Sequence, residues 1–73
     1  MGFVLISRKG CHLCEEAEAL LEAQGITYTL KDVDADENLK KLYTFRVPVL
    51  LWEGTVLLEG KFTLERLSKK LLL

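Results

Sequence analysis

The sequence predicts a single α/β domain, residues 1–73, with one four-stranded sheet backed by helices. Short apolar runs of strand length alternate along the chain with segments in which apolar residues recur at helical spacing. The size supports one domain, because 73 residues with 49% hydrophobic content can form only one small, dense core. The predicted order is β-α-β-α-β-β-α, with no linker, repeat or low-complexity segment.

The first strand and the first helix are separated by a glycine. Phe3 to Ser7 is a continuous apolar run, which is typical of a central strand covered on both faces. Gly10 ends this pattern, and a helical period follows. Its apolar residues fall at i, i+4, i+7 and i+8: Leu13, Ala17, Leu20 and Leu21. Gly25 supplies the left-handed stop that ends the helix.

A second strand and a second helix follow. Ile26 to about Val33 alternates and is rich in β-branched residues, and the β-α-β unit predicts that it pairs in parallel with the first strand. Asp34 and Glu37 have the spacing of a capping box, which predicts the start of a short helix. The inward face of that helix is predicted to contain three residues: Leu39, Leu42 and Tyr43.

A hairpin and a last helix complete the domain. Val49 to Trp52 and Thr55 to Leu58 flank the two-residue loop Glu53-Gly54, which predicts two antiparallel strands. Pro48 can only begin the first of these strands, since it has no N–H to donate to a ladder. Thr63 is the predicted N-cap of the last helix. The face of this helix toward the sheet is predicted to consist of Leu64, Leu67, Leu71 and Leu72.

Composition excludes several classes of protein. Ten basic and eleven acidic residues give a net charge of −1, unlike the basic surface of a nucleic-acid-binding protein. No stretch is long and apolar enough to span a bilayer, and Phe3 to Ile6 is too short for the core of a signal peptide. We therefore expect a cytoplasmic monomer with no nucleic-acid or membrane partner. In a reducing cytoplasm, a close cysteine pair is more often catalytic or metal-binding than structural.

Both cysteines lie where the first strand gives way to the first helix, in Cys11-His12-Leu13-Cys14. Only the thiolate is a nucleophile, and a free cysteine has a pKa of about 8.5. The N–H groups and dipole of a helix N-terminus favour the anion and can move the pKa into the range of ~3.5–7.5. The pattern predicts Cys11 as a reactive thiol and Cys14, one helical turn on and more buried, as the thiol that resolves a mixed disulfide.

Positive charge surrounds the first cysteine. Arg8 and Lys9 precede Cys11, and we predict that both bind substrate together with His12. His12 could tune Cys11 or carry a proton, or it could face solvent without a role, and the residues do not distinguish these alternatives. Arg46 and Lys61 are most simply solvated charges.

Two cysteines could also be half of a zinc site. The other half is missing, because His12 is the only histidine, so we predict no metal site within one chain. Two alternatives to a redox enzyme stay open. One is an iron–sulfur or metal carrier formed by two chains through Cys11, and the other is a non-catalytic interaction module with vestigial cysteines.

Three motifs extend the argument from the cysteines to the whole chain: Gly10 to Ala17, Asp32-Val33-Asp34, and Arg46 to Leu50. With them the chain resembles a thioredoxin-fold protein of glutaredoxin type, and more narrowly the small bacterial glutaredoxin-like family. The resemblance implies a mixed sheet of order 2-1-3-4, with helices on both faces and the third strand antiparallel to the first.

The resemblance also implies site residues. Cys11 would be the nucleophile and Cys14 the resolving thiol. Pro48 would follow a cis peptide bond, which keeps a flat surface open against Cys11, and the backbone of Val47 would pair with the peptide backbone of the substrate. Pro48 and Val47 are therefore predicted as substrate-binding residues, although an ordinary trans proline that opens a strand is the alternative from the residues alone.

The activity that the resemblance implies is that of a dithiol–disulfide oxidoreductase that reduces protein or low-molecular-weight disulfides, with no cofactor. Glutathione or a thioredoxin-type protein would be the reductant. The chain departs from typical glutaredoxins in having His12-Leu13 in place of Pro-Tyr. It also lacks, between Glu59 and Thr63, the second glycine and the acidic residue that hold the glutathione amine. Arg8, Lys9 or Lys61 could still bind glutathione carboxylates, so the partner stays open.

Overall fold

The computed structural model describes residues 2–71, and over that range the chain forms one mixed sheet flanked by helices. The elements in chain order are β1 (Phe3–Ser7), α1 (His12–Ala23), β2 (Tyr28–Asp32), a 3₁₀ helix (Val33–Ala35), α2 (Glu37–Tyr43), β3 (Val49–Trp52), β4 (Thr55–Glu59) and α3 (Leu64–Leu71). The predicted order of strands and α-helices is confirmed, and the 3₁₀ helix is an addition.

The sheet has the order β2-β1-β3-β4. β1 lies between a parallel neighbour, β2, and an antiparallel neighbour, β3. Leu5 of β1 is opposite Leu30 on one side and Leu50 on the other. β3 and β4 form an antiparallel hairpin. Because β1 is central, its apolar run is covered from both faces, and Leu5 and Ile6 are fully buried.

Each face of the sheet carries its own hydrophobic cluster. The cluster on the face covered by α1 and α3 consists of Leu5, Ala17, Leu21, Leu50, Leu58, Phe62 and Leu67. The cluster on the face covered by the 3₁₀ helix and α2 consists of Ile6, Val33, Tyr43 and Val49. Successive residues of a strand point to opposite faces, so Leu5 and Ile6 anchor one cluster each. The prediction of helices on both faces is confirmed.

This topology brings two loops to the same end of the sheet. β1 ends at Ser7, while its antiparallel neighbour β3 begins at Val49, and the last pair between them is Ile6 with Val49. The segment that follows β1 and the segment that precedes β3 therefore lie side by side. The first contains both cysteines, and the second contains Pro48.

Three leucines that were predicted to face the core are exposed instead. Their exposed fractions are 37% for Leu13, 57% for Leu42 and 51% for Leu64. Leu13 and Leu64 lie in the first turns of α1 and α3. Helix side chains tilt toward the N-terminus, so these two side chains extend beyond the start of the helix and into solvent. In α2, Leu39 and Tyr43 are four residues apart and share the inner face, which turns Leu42 about 100° away from Tyr43.

The prediction that Asp34 caps α2 is wrong. Asp36 is the N-cap, and its Oδ1 accepts hydrogen bonds from the N–H groups of Asn38 at 2.8 Å and Leu39 at 3.1 Å. The reason is that β2 ends at Asp32 and buries Val33 in a 3₁₀ turn, which delays the start of α2. The carboxylate of Asp34 is thereby left available for another partner.

The hairpin loop between β3 and β4 and the N-terminus of α3 are formed by the residues that the sequence predicts for them. Glu53 and Gly54 join β3 to β4 with φ values of 47° and 84°, so both are left-handed, as a two-residue type I′ hairpin turn requires. Thr63 caps α3, because its Oγ1 accepts a hydrogen bond from the N–H of Arg66 at 3.1 Å. Leu71 packs against the core, and the prediction for Leu72 lies outside the described residues.

Within residues 2–71, no helix has the length and apolar content needed to cross a membrane.

Candidate active site

The two cysteines lie in the segment Arg8–Cys14, called here the cysteine turn. Gly10 has a φ of 74°, which a glycine adopts without strain, and it lets the chain reverse after β1. Cys11 follows in an extended conformation as the N-cap of α1, and its N–H donates to the carbonyl of Arg8 at 3.3 Å. Its Sγ accepts a hydrogen bond from the N–H of Cys14 at 3.2 Å. The sulfur thus occupies the place of a capping oxygen at a helix start.

The two thiols differ in their surroundings. Cys11 is half-buried, whereas Cys14 is buried in the first turn of α1 with 1% of its surface exposed. Burial first, and then the hydrogen bond with Cys11, raise the pKa of Cys14 to about 12. Cys14 is therefore a protonated thiol near neutral pH.

The second segment at this end of the sheet is Thr44–Pro48, called here the proline loop. The Val47–Pro48 peptide bond is cis. Pro48 is fully buried, and its carbonyl accepts the N–H of Gly60 at 3.0 Å, which fixes the loop against the end of β4. Within residues 2–71, neither the N–H nor the C=O of Val47 has a hydrogen-bond partner. Val47 therefore presents an unpaired peptide unit beside the cysteine turn.

Arg8 joins these two segments. Its guanidinium grips the carboxylate of Asp34 with two hydrogen bonds, from Nε to Oδ2 at 2.8 Å and from Nη2 to Oδ1 at 2.9 Å. It also binds Thr44, from Nη1 to the carbonyl at 2.9 Å and from Nη2 to Oγ1 at 2.7 Å. The planar, forked guanidinium makes this double contact possible. Arg8 thus holds the proline loop and the 3₁₀ helix against the cysteine turn, and its predicted part in substrate binding stays a prediction.

The other predicted cations are exposed. Lys9 and His12 flank Cys11 in sequence and reach solvent, and Lys61 is the residue after Gly60 at the proline loop. Lys9 lines a concavity of about 380 Å³ on the β2 side of the cysteine turn. The walls of that concavity also include Glu15, Glu18 and Asp32, so its charge is mixed. The structure leaves Lys9, His12 and Lys61 exposed and assigns none of them a ligand.

Arg46 is exposed, as expected for a solvated charge, and it also has protein partners that the sequence does not indicate. Its guanidinium pairs with the carboxylate of Glu59, with Nε donating to Oε2 at 3.1 Å, and it stacks over the ring of Tyr43 with 5.1 Å from Cζ to the ring centroid. This hydrogen bond lowers the pKa of Glu59. Arg46 therefore anchors the second half of the proline loop, and no local sequence signal links it to a residue thirteen positions away.

The ion pair between Arg8 and Asp34 makes stability depend on pH. The hydrogen bond from Arg8 lowers the pKa of Asp34, so the ion pair stabilises the fold above the ordinary aspartate pKa of about 3.9 and is lost as the pH falls through the lower folded value. We expect Asp34→Asn to lower the free energy of unfolding at pH 7 and the difference from wild type to shrink below about pH 4. Urea unfolding at pH 7 and pH 3 measures this, with Glu16→Gln on the exposed side of α1 as the control. If Asp34→Asn lowers the free energy of unfolding by the same amount at both pH values, the ion pair between Arg8 and Asp34 is not the source of the pH dependence.

The described residues offer no metal centre within one chain. Over positions 2–71, no three His, Cys, Asp or Glu side chains are grouped so that they could hold a metal ion together. The centre shared by two chains that the sequence left open is a separate matter and stays a prediction.

Comparison with known proteins gives one family and several related structures. The model of the family described as "Glutaredoxin-like domain (DUF836)" matches residues 3–72. No curated protein sequence matches the chain. The chain is 36% identical to target protein XcR50 from X. campestris, with a TM-score of 0.81 over 94% of this chain and 93% of that one. It is 31% identical to protein Ne2328 from Nitrosomonas europaea, with a TM-score of 0.79 over 93% of this chain and 87% of that one.

A more distant neighbour carries a functional name. The holo form of glutaredoxin C1 from Populus tremula x tremuloides is 22% identical to this chain, with a TM-score of 0.64 over 97% of this chain and 74% of that one. At this identity the likeness shows the fold alone. The mixed sheet of order 2-1-3-4 with helices on both faces is thus the glutaredoxin and thioredoxin fold.

Proposed function

The chain belongs to the glutaredoxin-like domain family (DUF836), and from that premise we propose that it is a dithiol–disulfide oxidoreductase with Cys11 as its nucleophile. The observation that carries the proposal is the inequality of the two thiols. Cys11 Sγ is partly exposed and accepts an N–H, while Cys14 lies buried beside it with its pKa raised to about 12. A reactive thiolate next to a protected thiol is what attack followed by resolution requires.

In the first step, the Cys11 thiolate attacks one sulfur of the substrate disulfide. A new sulfur–sulfur bond forms between Cys11 and that substrate sulfur, and the substrate disulfide breaks. The second substrate sulfur leaves as a thiolate and takes a proton from solvent. Cys14 stays protonated during this step because burial disfavours its anion.

In the second step, Cys14 attacks Sγ of Cys11 in the mixed disulfide. The charge on Cys11, which helps to raise the pKa of Cys14, disappears once Cys11 is bonded to substrate. Cys14 therefore loses its proton more readily at the stage at which it must act. The Cys11–Cys14 disulfide forms, the remaining substrate thiolate leaves and is protonated, and the substrate has gained two electrons and two protons.

Turnover needs a reductant that returns the Cys11–Cys14 disulfide to two thiols. We propose a low-molecular-weight thiol such as glutathione, or a thioredoxin-type dithiol protein, as the source of the two electrons. The unpaired N–H and C=O of Val47 supply a place where the backbone of a substrate can pair alongside Cys11. Exposed Lys9, His12 and Lys61 around the site are available for the carboxylates of an anionic substrate.

A stoichiometric reaction tests the proposal. The fully reduced protein is mixed with one equivalent of glutathione disulfide, quenched with acid and analysed by mass spectrometry. We expect a protein that has lost two hydrogens through an internal Cys11–Cys14 bond, together with two equivalents of glutathione, because resolution by the adjacent thiol releases the substrate.

The same reaction with a small synthetic disulfide serves as the control for glutathione recognition. A protein that keeps both thiols with every disulfide offered would contradict the redox function. A lasting adduct on Cys11 without closure would contradict the resolving role of Cys14.

A further inference from the structure

Phe45 is the most exposed large apolar residue in the described chain. Its side chain is 97% exposed, whereas the other exposed large apolar residues lie between 37% and 57%. It stands in the middle of the proline loop, two residues before Val47. A fully solvated aromatic ring contributes nothing to the core, so its position calls for an explanation outside folding.

The loop holds Phe45 from both sides. On one side, Thr44 receives two hydrogen bonds from Arg8, and its N–H donates to Lys40 at 3.1 Å. On the other side, the N–H of Arg46 donates to the carbonyl of Tyr43 at 2.8 Å, and its guanidinium is bound by Glu59. The ring therefore projects from a fixed backbone, which lowers the entropy lost when a partner covers it.

The ring also lies at the same end of the sheet as the reactive sulfur. The Arg8 side chain that binds Thr44 belongs to the residue whose carbonyl accepts the N–H of Cys11. Between the ring and Pro48 is the unpaired peptide of Val47. An aromatic side chain and a free backbone donor and acceptor are thus presented together on the proline loop, at the end of the sheet where the cysteine turn lies.

We propose that Phe45 is the docking contact through which this site binds polypeptide disulfides that carry an apolar side chain close to the cysteine. The inference rests on the proposed oxidoreductase function and names its substrate class. A polypeptide offers a backbone for Val47 and an apolar side chain for Phe45, and exposed aromatic residues of this kind dominate the energetics of many interfaces. Glutathione disulfide offers no apolar side chain, so it gains nothing from the ring.

The test compares two substrates in one variant. One is a disulfide-linked peptide with leucine beside each cysteine, and the other is glutathione disulfide. We expect Phe45→Ala to lower kcat/KM for the peptide about 10- to 100-fold through a higher KM, as for the loss of one interface anchor. The value for glutathione disulfide should stay within about twofold. Phe45→Leu should restore most of the peptide rate.

The controls separate this role from others. Leu30→Ala removes a side chain that is 51% exposed on the edge strand β2, and it should affect neither substrate. With the wild-type protein, a peptide disulfide that has serine in place of leucine should have a lower kcat/KM than the leucine peptide, because it offers no apolar side chain to Phe45. An equal loss on both substrates, or no loss on the peptide, would overturn the docking role while leaving the redox function intact.

One competing occupant is a second copy of this chain. If wild type sediments as a dimer that Phe45→Ala converts to a monomer, the ring serves self-association and the proposal is wrong. If wild type reduces neither substrate, the oxidoreductase function itself fails, and the docking role fails with it.

Discussion

Replacing Cys11 with serine is expected to lower the rate of disulfide reduction by a factor of about 10³ or more, because the reaction loses its nucleophile. A serine hydroxyl is not ionised near neutral pH, and the hydrogen bond from the N–H of Cys14 is far too weak to change that. Cys14 cannot substitute, since it is buried and its pKa is raised to about 12. A coupled assay with an excess of disulfide substrate measures the loss.

Cys14→Ser is the matched variant, and it should behave differently. The first step needs only Cys11, so the variant should still attack a disulfide and then stop as a mixed disulfide, because no thiol is left to resolve it. Non-reducing electrophoresis after reaction with a disulfide-bonded protein separates the two variants, and the double Cys→Ser chain gives the background. Mixed disulfides that accumulate on Cys11→Ser instead would reverse the assigned roles.

The cysteine turn could be predicted from sequence because its determinants are local. An apolar run, Gly10 and the start of a helical period specify where Cys11 stands, and they lie within a few residues of it. The contacts of Arg8 could not be predicted in this way. They reach Asp34 and Thr44, 26 and 36 residues away, and they depend on how the 3₁₀ helix and the proline loop meet the sheet. The sequence alone therefore does not indicate that the Arg8 guanidinium has hydrogen-bond partners within the protein.

In the helices, the apolar periodicity predicts which side faces the sheet but not which residues on that side are buried. It correctly identified which side of α3 faces the sheet, but it does not indicate where along the helix the sheet stops. Leu64 and Leu67 share the predicted apolar face, three residues apart, yet Leu67 is fully buried and Leu64 is 51% exposed. The difference arises because Leu64 begins the helix and points back past its N-terminus. The same pattern thus contains one core residue and one surface residue.

The difference in burial between Leu67 and Leu64 predicts very different costs for the same substitution at the two positions. Leu67→Ala should lower the free energy of unfolding by about 2–5 kcal/mol, since it empties a fully buried site in the cluster that also contains Leu5, Leu21 and Leu50. A domain of this length has a total stability of roughly 4–11 kcal/mol, so the loss could leave much of the protein unfolded at 37 °C. Leu64→Ala, the same change three residues earlier, should cost only about 0.5 kcal/mol or less.

Urea unfolding followed by tryptophan fluorescence compares the two variants, because Trp52 packs on Phe3 and reports on the sheet. If the apolar pattern alone determined stability, both substitutions would cost the same amount. If burial determines it, only Leu67→Ala shifts the midpoint strongly. Equal losses would contradict the orientation of α3 on the sheet.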